Sequence, residues 1–493
     1  MPLSAIDLKN RINEELWAPA NRTWTANNFL KKTIDGNITK VWMPDGVDGE
    51  YKDLMRKSRS PWLEYCAQSI SQGLIVDGYS NNEVWKNAWQ ANLMDGRQGA
   101  MNYQVVAYGY SYLLSFPGQE TGTASMRPLS VHKTFGFFED DWDEDPTLVI
   151  TRSENRKRWR IFDAEAMYEI EGNDPRKFSD MTTTPHDAGV QPVTMIRSSF
   201  SLDGLPRSLV EPAVPVYKRI VDGTFTLQMG KRYGAFPQKS QSGGEIATDE
   251  NGNSLVRPSI DTILHSEDPT TKFSAFPAAD LNQMIAAVEK EIQDLAAIMQ
   301  VPPHYLLGKI SNLSAEALAA AESGYFRRNA LLRSVMGEGY ERALRVAASF
   351  MGPDYESAAS DTSSEVHWAD VSHRALSQVA DAINKLDATN APLEKLYALL
   401  PDWTSKDAKE AQRSAYQFRK SERDREDRMN QTPSVSAATP PEQVADRTVT
   451  KEQADALGTL IRAGVSAESA AKQVGITGLQ FTGMTPVALR PSE

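Results

Sequence analysis

The amino-acid sequence predicts an α+β protein of more than one lobe, mainly helical, with small β elements set between the helices. Three observations carry this reading. Residues 279–352 hold two strong helical patterns separated by Pro302 and Pro303. Residues 100–200 hold a succession of short β-prone runs. A chain of 493 residues exceeds the size at which one hydrophobic core keeps growing.

The helical patterns come first because the other segments attach to them. From Leu281 to Gln300 the apolar residues Leu281, Met284, Ile285, Val288, Ile292, Leu295, Ala296 and Met299 recur at three-and-four spacing, which places them on one helix face. Asp280 stands at the N-cap, with Gln283 where a capping-box partner belongs. Pro302 and Pro303 end this helix, because a prolyl ring disfavours helical geometry in the residue before it. A second helix runs from Ser314 to Met351 and would span about 55 Å. Gly324, Gly337 and Gly339 are poor interior residues and mark expected bends or close packing sites in it.

From the N-terminus, Ile6, Leu8, Ile12, Leu16 and Trp17 predict a short amphipathic helix over 4–17, and Trp24, Phe29 and Leu30 a second segment on the same body. One helix is expected over 53–73, a strand over 73–79, and a Trp-rich helix over 83–93 in which Trp85 and Trp89 lie four apart. In 100–116 helical spacing gives way to an aromatic β-prone run, and Gly109 invites a bend. Strands over 128–134, 147–152, 158–162 and 167–171 read as a β-meander, followed by a strand over 189–200. Pro215 opens a helix over 216–233, and short strands and turns fill 234–277, so two antiparallel helices enclose a β insertion. Residues 364–371 alternate like a strand that rejoins the N-terminal sheet, and 376–400 and 405–428 read as helices. Residues 431–448 are a Pro, Ser, Thr and Ala-rich linker, and 451–474 hold two short helices.

Composition narrows the function. Hydrophobic residues at 40% and charged residues at 24% are those of a globular protein. No apolar run is long enough to cross a membrane, and no signal-like N-terminal region occurs, so neither a spanning nor a secreted protein is expected. The single cysteine, Cys66, excludes an intrachain disulfide and a cysteine metal cage, and reads as a buried small hydrophobe. A net charge of -12 argues against broad attraction to nucleic acid.

No catalytic, cofactor or metal site emerges. The six histidines never form the two-His spacing of a zinc protease, and the Gly230-Lys231 pair lacks the rest of a phosphate-binding loop. Ser111 does not sit in a nucleophile elbow, since Leu113 occupies the second Gly position. The acidic run Glu139 to Asp145 puts Pro146 where a calcium loop needs Gly, and reads as a solvated loop. The basic run Arg152 to Arg160 reads as an exposed strand face around Trp159. The tail helix 467–474 carries Lys472 as its one cation, too little for a helix that reads DNA.

In their order and spacing, three pieces resemble the portal proteins (head-tail connectors) of tailed double-stranded DNA bacteriophages. They are the run Val105 to Tyr112 around Gly109; Gly189 to Val193 with Gly204 and Ser208 leading into Tyr217 and Lys218; and Val301 to Gly308 before the long helix from Ser314. The resemblance covers roughly residues 20–430. It implies a portal fold with a mainly helical wing, stem and crown, a small β-meander in the wing and a small β clip. Residues 1–205 would be the wing, with 352–373 its return strand. Residues 206–232 and 279–301 would be the stem helices, 233–278 the clip, 302–351 the tunnel loop and kinked helix, 374–430 the crown, and 431–493 a linker and tail. Gly308, Lys309, Ile310, Ser311 and Asn312 would line the narrowest point of a DNA channel.

The function implied is structural and non-enzymatic: a ring of about twelve copies at one capsid vertex, with no cofactor. Double-stranded DNA would pass through it without sequence specificity during packaging and ejection. The terminase large subunit, which would supply the ATPase, the head-tail adaptor, and the major capsid and scaffold proteins are the implied partners, with no membrane. The protein would be assembled in the host cytoplasm and reside in the virion. Two other classes compete: an enzyme with the β insertion as a lid, which needs a convergent set of titratable groups that the sequence lacks, and a DNA-binding regulator using the C-terminal helices.

Overall fold

The computed structural model describes residues 2–37, 49–140, 143–153, 157–186, 188–201, 204–235, 239–243, 269–275, 280–308, 315–369, 376–387, 396, 400, 405–430, 451–462 and 466–476. The chain forms two compact units, residues 1–417 and 418–493.

The N-terminus is one helical run: α1 (Ala5–Arg11), a π turn (Ile12–Leu16) and α2 (Trp17–Ile34). The two segments expected here are therefore continuous. Ser4 caps the run, its hydroxyl oxygen accepting from the Asp7 N–H at 3.2 Å. The wider turn just ahead of Pro19 leaves room for a ring that carries no N–H. The single helix expected over 53–73 is two, α3 (Gly49–Lys57) and α4 (Trp62–Ser71), because Pro61 breaks it.

Strand β1 (Val76–Tyr79) is followed by α5 (Asn82–Val84), a π turn (Trp85–Trp89) in which the two indoles stack at 4.9 Å, and α6 (Met94–Tyr108). Residues 105–108, expected in a bent strand, end α6 instead; Gly109 (φ 94°) turns the chain, and β2 begins at Tyr110. Strand β2 (Tyr110–Pro117) lies between β3 (Ala124–Leu129) and β9 (Val193–Arg197) in an antiparallel sheet. The strand expected over 128–134 is thus split: Leu129 ends β3, and Thr134 opens the next strand after a turn.

The meander has five strands in sequential order: β4 (Thr134–Phe137), β5 (Leu148–Arg152), β6 (Arg158–Phe162), β7 (Ala166–Glu171) and β8 (Met181–Pro185). Sequence reasoning missed β8, a Thr-rich edge strand with no buried residue to mark a face. Within the meander, Leu148 and Ile150 join Trp159, Ile161, Tyr168 and Ile170 in a core against α1 and α2, while Val149 and Phe162 enter the main core. Both faces are covered, as the period of two requires.

Among the described residues, the remaining α-helices of the first unit are α7 (Val214–Ala235), α8 (Leu281–Met299), α9 (Pro303–Leu307), α10 (Ala315–Ser349), α11 (Glu356–Ala359), α12 (Leu376–Asp387) and α13 (Ser405–Asn430), the last continuing past residue 417. Strands β10 (Lys239–Ser242) and β11 (Lys272–Ala275) pair antiparallel between α7 and α8. The expected return strand is β12 (Val366–Trp368), and it pairs with β1 as a separate two-stranded sheet. In the second unit, α14 (Lys451–Arg462) and α15 (Ala467–Gln473) are the two tail helices, with Ala470, Ala471 and Ile476 buried. Among the described residues no helix is long and apolar enough to cross a membrane.

Where α6 ends, His132 meets the Tyr108 ring edge-on at 4.7 Å. Burial, helped by Lys31 and Lys133 and opposed by Asp35, lowers its pKa from 6.5 to about 4. Between those two values the unfolded chain takes up a proton that the folded chain refuses. Stability is therefore full above pH 6.5 and lost as the pH falls through this window, by about 1–2 kcal/mol after solvent screening. Denaturation midpoints measured from pH 7 to pH 4 should fall in the parent and fall less in His132→Phe.

Candidate functional site

Helices α7 and α8 run antiparallel in contact. Gly230 faces Leu281 and Met284, Gly223 faces Val288, and the Arg219 guanidinium lies 3.8 Å from the Glu291 carboxylate. A Cβ on Gly223 or Gly230 would sit 3.0 Å from the facing methyl group, so these glycines set the closeness of the pair. Burial raises the Glu291 carboxyl, with Arg219 opposing. Buried residues of α7 fall between Val216 and Leu227 and those of α8 between Ile292 and Met299. One end of the pair is thus rooted in the main core. The other end, leading to β10 and β11, has mainly half-exposed and exposed side chains.

At the rooted end a short connector joins α8 to the long helix. The expected N-cap of α8 is in place, the Asp280 carboxylate accepting from the Asn282 N–H at 2.9 Å. At the other end Gln300 adopts a left-handed conformation (φ 50°), and the Arg328 guanidinium of α10 donates to the Met299 carbonyl oxygen. After Pro302, α9 lies against both α10 and α4. The Tyr305 hydroxyl donates to Glu322 Oε1 at 3.0 Å, His304 Nε2 is 3.4 Å from the same oxygen, and the Tyr65 hydroxyl donates to the Tyr305 carbonyl at 3.1 Å. Burial, and then the bond to Glu322, push the Tyr305 hydroxyl well above the ordinary tyrosine value. Gly308 (φ 63°) caps α9. Lys309, Ile310, Ser311 and Asn312 lie outside the described residues.

From there α10 runs unbroken for 35 residues, fastening one element after another. The Tyr325 hydroxyl donates to the Ser69 carbonyl of α4 at 2.7 Å. Arg333 donates to the Gly73 carbonyl at 2.6 Å and to Ala369 at 2.9 Å, tying the ends of α4 and β12. Buried Tyr340 donates to Asn102 Oδ1 of α6 at 2.5 Å, and Arg342 pairs with Glu144 and Asp145. The acidic run is therefore a partial correction. It reads as a solvated loop from sequence, but its end is an anchor, with Arg197 also donating to the Asp143 and Glu144 carbonyls. In the basic run, Arg158 and Arg160 pair with Glu169 on the neighbouring strand, and Trp159 is buried.

Sequence reasoning missed Glu322, Arg328, Asn329 and Arg333. Part of the signal was available: Glu322, Tyr325, Asn329, Arg333, Met336 and Tyr340 follow three-and-four spacing, so polar residues share the inward stripe and need partners there, whereas Arg328 lies outside that series. Cys66 is buried and its thiol is pushed up to about 12, and no cluster of His, Cys, Asp or Glu among the described residues could hold a metal ion.

The joint between the meander lobe and α7 brings the singled-out residues together. Ser208 Oγ donates to the Ala107 carbonyl at 2.6 Å and the Leu209 N–H to Val106 at 3.2 Å. These are last-turn carbonyls of α6 that have no partner within the helix. Gly109 lets Pro206 and Arg207 pass close enough to make these bonds.

Residues 74–424 match the phage portal protein family described as SPP1 Gp6-like. The chain belongs to that family. Portal proteins of Mycobacterium phages D29 and L5 are each 29% identical to it over 358 residues, covering 64% of this chain and 70% of theirs. Among solved structures it is similar to a chain of the virion of a native gene transfer agent particle, at 12% identity and a TM-score of 0.42. That match covers 76% of this chain and 99% of the other. It is also similar to a chain of the neck of an empty gene transfer agent particle, at 14% identity and a TM-score of 0.43, over 73% of this chain and 95% of the other. As a portal protein the chain is a structural component of a virion, and its helices and small antiparallel sheets make up the α+β fold expected of one.

Within this portal protein the three glycines of α10 occupy different surroundings. Gly324 has open space around it, Gly337 is in ordinary contact with Val366, and a Cβ on Gly339 would lie 3.0 Å from Ile196 Cδ1 and 3.2 Å from its Cα. Gly324→Ala is expected to stabilise by about 0.5–1 kcal/mol. Gly339→Val is expected to destabilise by about 1–3 kcal/mol, since β9 is backbone and cannot give way. Thermal unfolding of both variants checks this; a neutral Gly339→Val would contradict the packing of α10 on β9.

Proposed function

We propose that the chain forms a ring of about twelve copies at one capsid vertex, through whose axis double-stranded DNA passes without sequence specificity during packaging and ejection. The observation that carries this is the α7–α8 pair. Its far end leaves mainly half-exposed and exposed side chains among the described residues, on a pair whose contact is apolar. Neighbouring copies of the same pair would supply the missing cover, and a head-to-tail contact that closes makes a ring.

In this reading α7 and α8 are the stem, and 233–278, which includes β10 and β11, is the clip that meets the terminase large subunit and later the head-tail adaptor. Residues 1–205 with 352–373 form the wing facing the capsid and scaffold proteins, and 374–430 the crown. Gly308 to Asn312 form the tunnel loop at the narrowest point, and α10 bends at Gly324, Gly337 or Gly339 as it leaves the axis. The net charge of -12 suits a wall that lets phosphates slide with few ion pairs to break. The protein contributes no catalysis, and assembly takes place in the host cytoplasm.

Native mass spectrometry with negative-stain imaging tests the ring. About twelve copies around a central hole supports it, whereas a stable dimer that selects one DNA sequence replaces it with a regulator. Within the ring, Lys309 would place one cation per copy on the DNA. Lys309→Ala is expected to lower DNA retention in particles; packaging and retention equal to the parent would remove that role.

A further inference from the structure

We propose that Glu322 and Arg328 act as a positioning pair, a two-point grip by which α10 fixes the connector 299–305 and so sets where the chain leaves α9 at Gly308. The inference rests on the tunnel-loop reading above. At 1.5 Å per residue the two side chains start about 9 Å apart along α10. They take hold of opposite ends of the connector: Arg328 the Met299 carbonyl, and Glu322 the Tyr305 hydroxyl and His304 imidazole.

The chain between the two grips has little freedom of its own. Pro302 and Pro303 have fixed φ, and Val301 is buried, its N–H donating to the Ala296 carbonyl at 2.9 Å. Gln300 is one of two non-glycine residues with positive φ among the described residues. A strained backbone persists only where its surroundings hold it. Arg328, on the carbonyl immediately before Gln300, supplies that hold.

Glu322 is 8% exposed, and a carboxylate so placed must be hydrogen-bonded to remain. The groups that face it are Tyr305 and His304 from α9, with Tyr325 one turn along α10. Its partners therefore belong to the connector and to α10 itself. An apolar side chain in its place would leave the Tyr305 hydroxyl and the His304 imidazole without the oxygen they face, whereas glutamine keeps an acceptor there.

The test uses the full-length assembled protein with Glu322→Ala, Tyr305→Phe and Glu322→Gln. Hydrogen exchange of peptides covering 301–308 is expected to quicken about tenfold in the first two. Glu322→Gln keeps an acceptor for the Tyr305 hydroxyl and is expected to return exchange towards the parent. Tyr305→Phe loses only one hydroxyl, so it reports even if Glu322→Ala fails to fold. Particles built with the loosened variants are expected to lose DNA retention while the ring mass is unchanged.

Unchanged exchange in both loosened variants would overturn the grip. Faster exchange with parental DNA retention would overturn the positioning role. The Lys309→Ala result then separates the two readings. If Lys309→Ala lowers retention while the connector variants do not, only this inference fails; if neither does, the role of Lys309 in the loop fails as well.

Discussion

Replacing Gly109 by alanine is expected to cost on the order of 3–5 kcal/mol, enough to leave little folded protein at 37 °C. Two penalties add. The residue sits at φ 94°, where a Cβ is disfavoured by about 1–2 kcal/mol. The new methyl would also overlap the Pro206 carbonyl oxygen and lie 2.8 Å from the Arg207 carbonyl carbon. Neither neighbour is a side chain that can swing away. To make room, the segment 206–209 must lift from the end of α6, releasing the bonds from Ser208 and Leu209 and unseating the start of α7. Gly308→Ala is the control: φ is 63° and the space around it is open, so only the first penalty applies. Urea midpoints of the two variants decide the matter, and equal losses would mean that the close approach at Gly109 contributes nothing.

The same joint shows how much of the fold is legible in the sequence. Gly109 and Ser208 stand out as parts of a pattern, and α8 with its Asp280 cap reads directly from spacing and cap chemistry. What does not read is contact between distant segments. Residues 105–108 are β-prone in composition, yet they end a helix, because Val105, Val106 and Ala107 have a buried surface to fill in the main core. The split of residues 53–73 was available in Pro61. The edge strand β8 was not, since a half-exposed Thr-rich run carries no apolar alternation.

The candidate site is legible to a lesser degree. Gly308 reads from sequence as part of a loop and in the structure caps α9, but Glu322 and Arg328 look from sequence like any charged residues of a long helix. Only the inward register of Tyr325 and Asn329 beside them hints that a polar stripe is buried. The acidic run has the same character. Its composition says solvent, and one arginine on a helix about 200 residues away makes part of it structural.

Trp159→Ala is the second large effect, expected at about 3–5 kcal/mol. Trp159 is 1% exposed and lies 6.0 Å from both Trp17 and Trp24, centroid to centroid. Its indole N–H donates to the Gly172 carbonyl at 3.1 Å, and the Arg152 guanidinium lies over the ring at 5.2 Å. Truncation leaves a cavity at the centre of the smaller core and strands that carbonyl without its donor. The loss should be local, because this core joins α1 and α2 to one face of the meander while Val149 and Phe162 tie the other face to the main core. Hydrogen exchange is therefore expected to quicken first in residues 5–34 and 158–171, with α6 and α10 still protected. Uniform loss of protection across the first unit would show that the two cores unfold as one, and that the N-terminal helices are not the separate cooperative layer their packing implies.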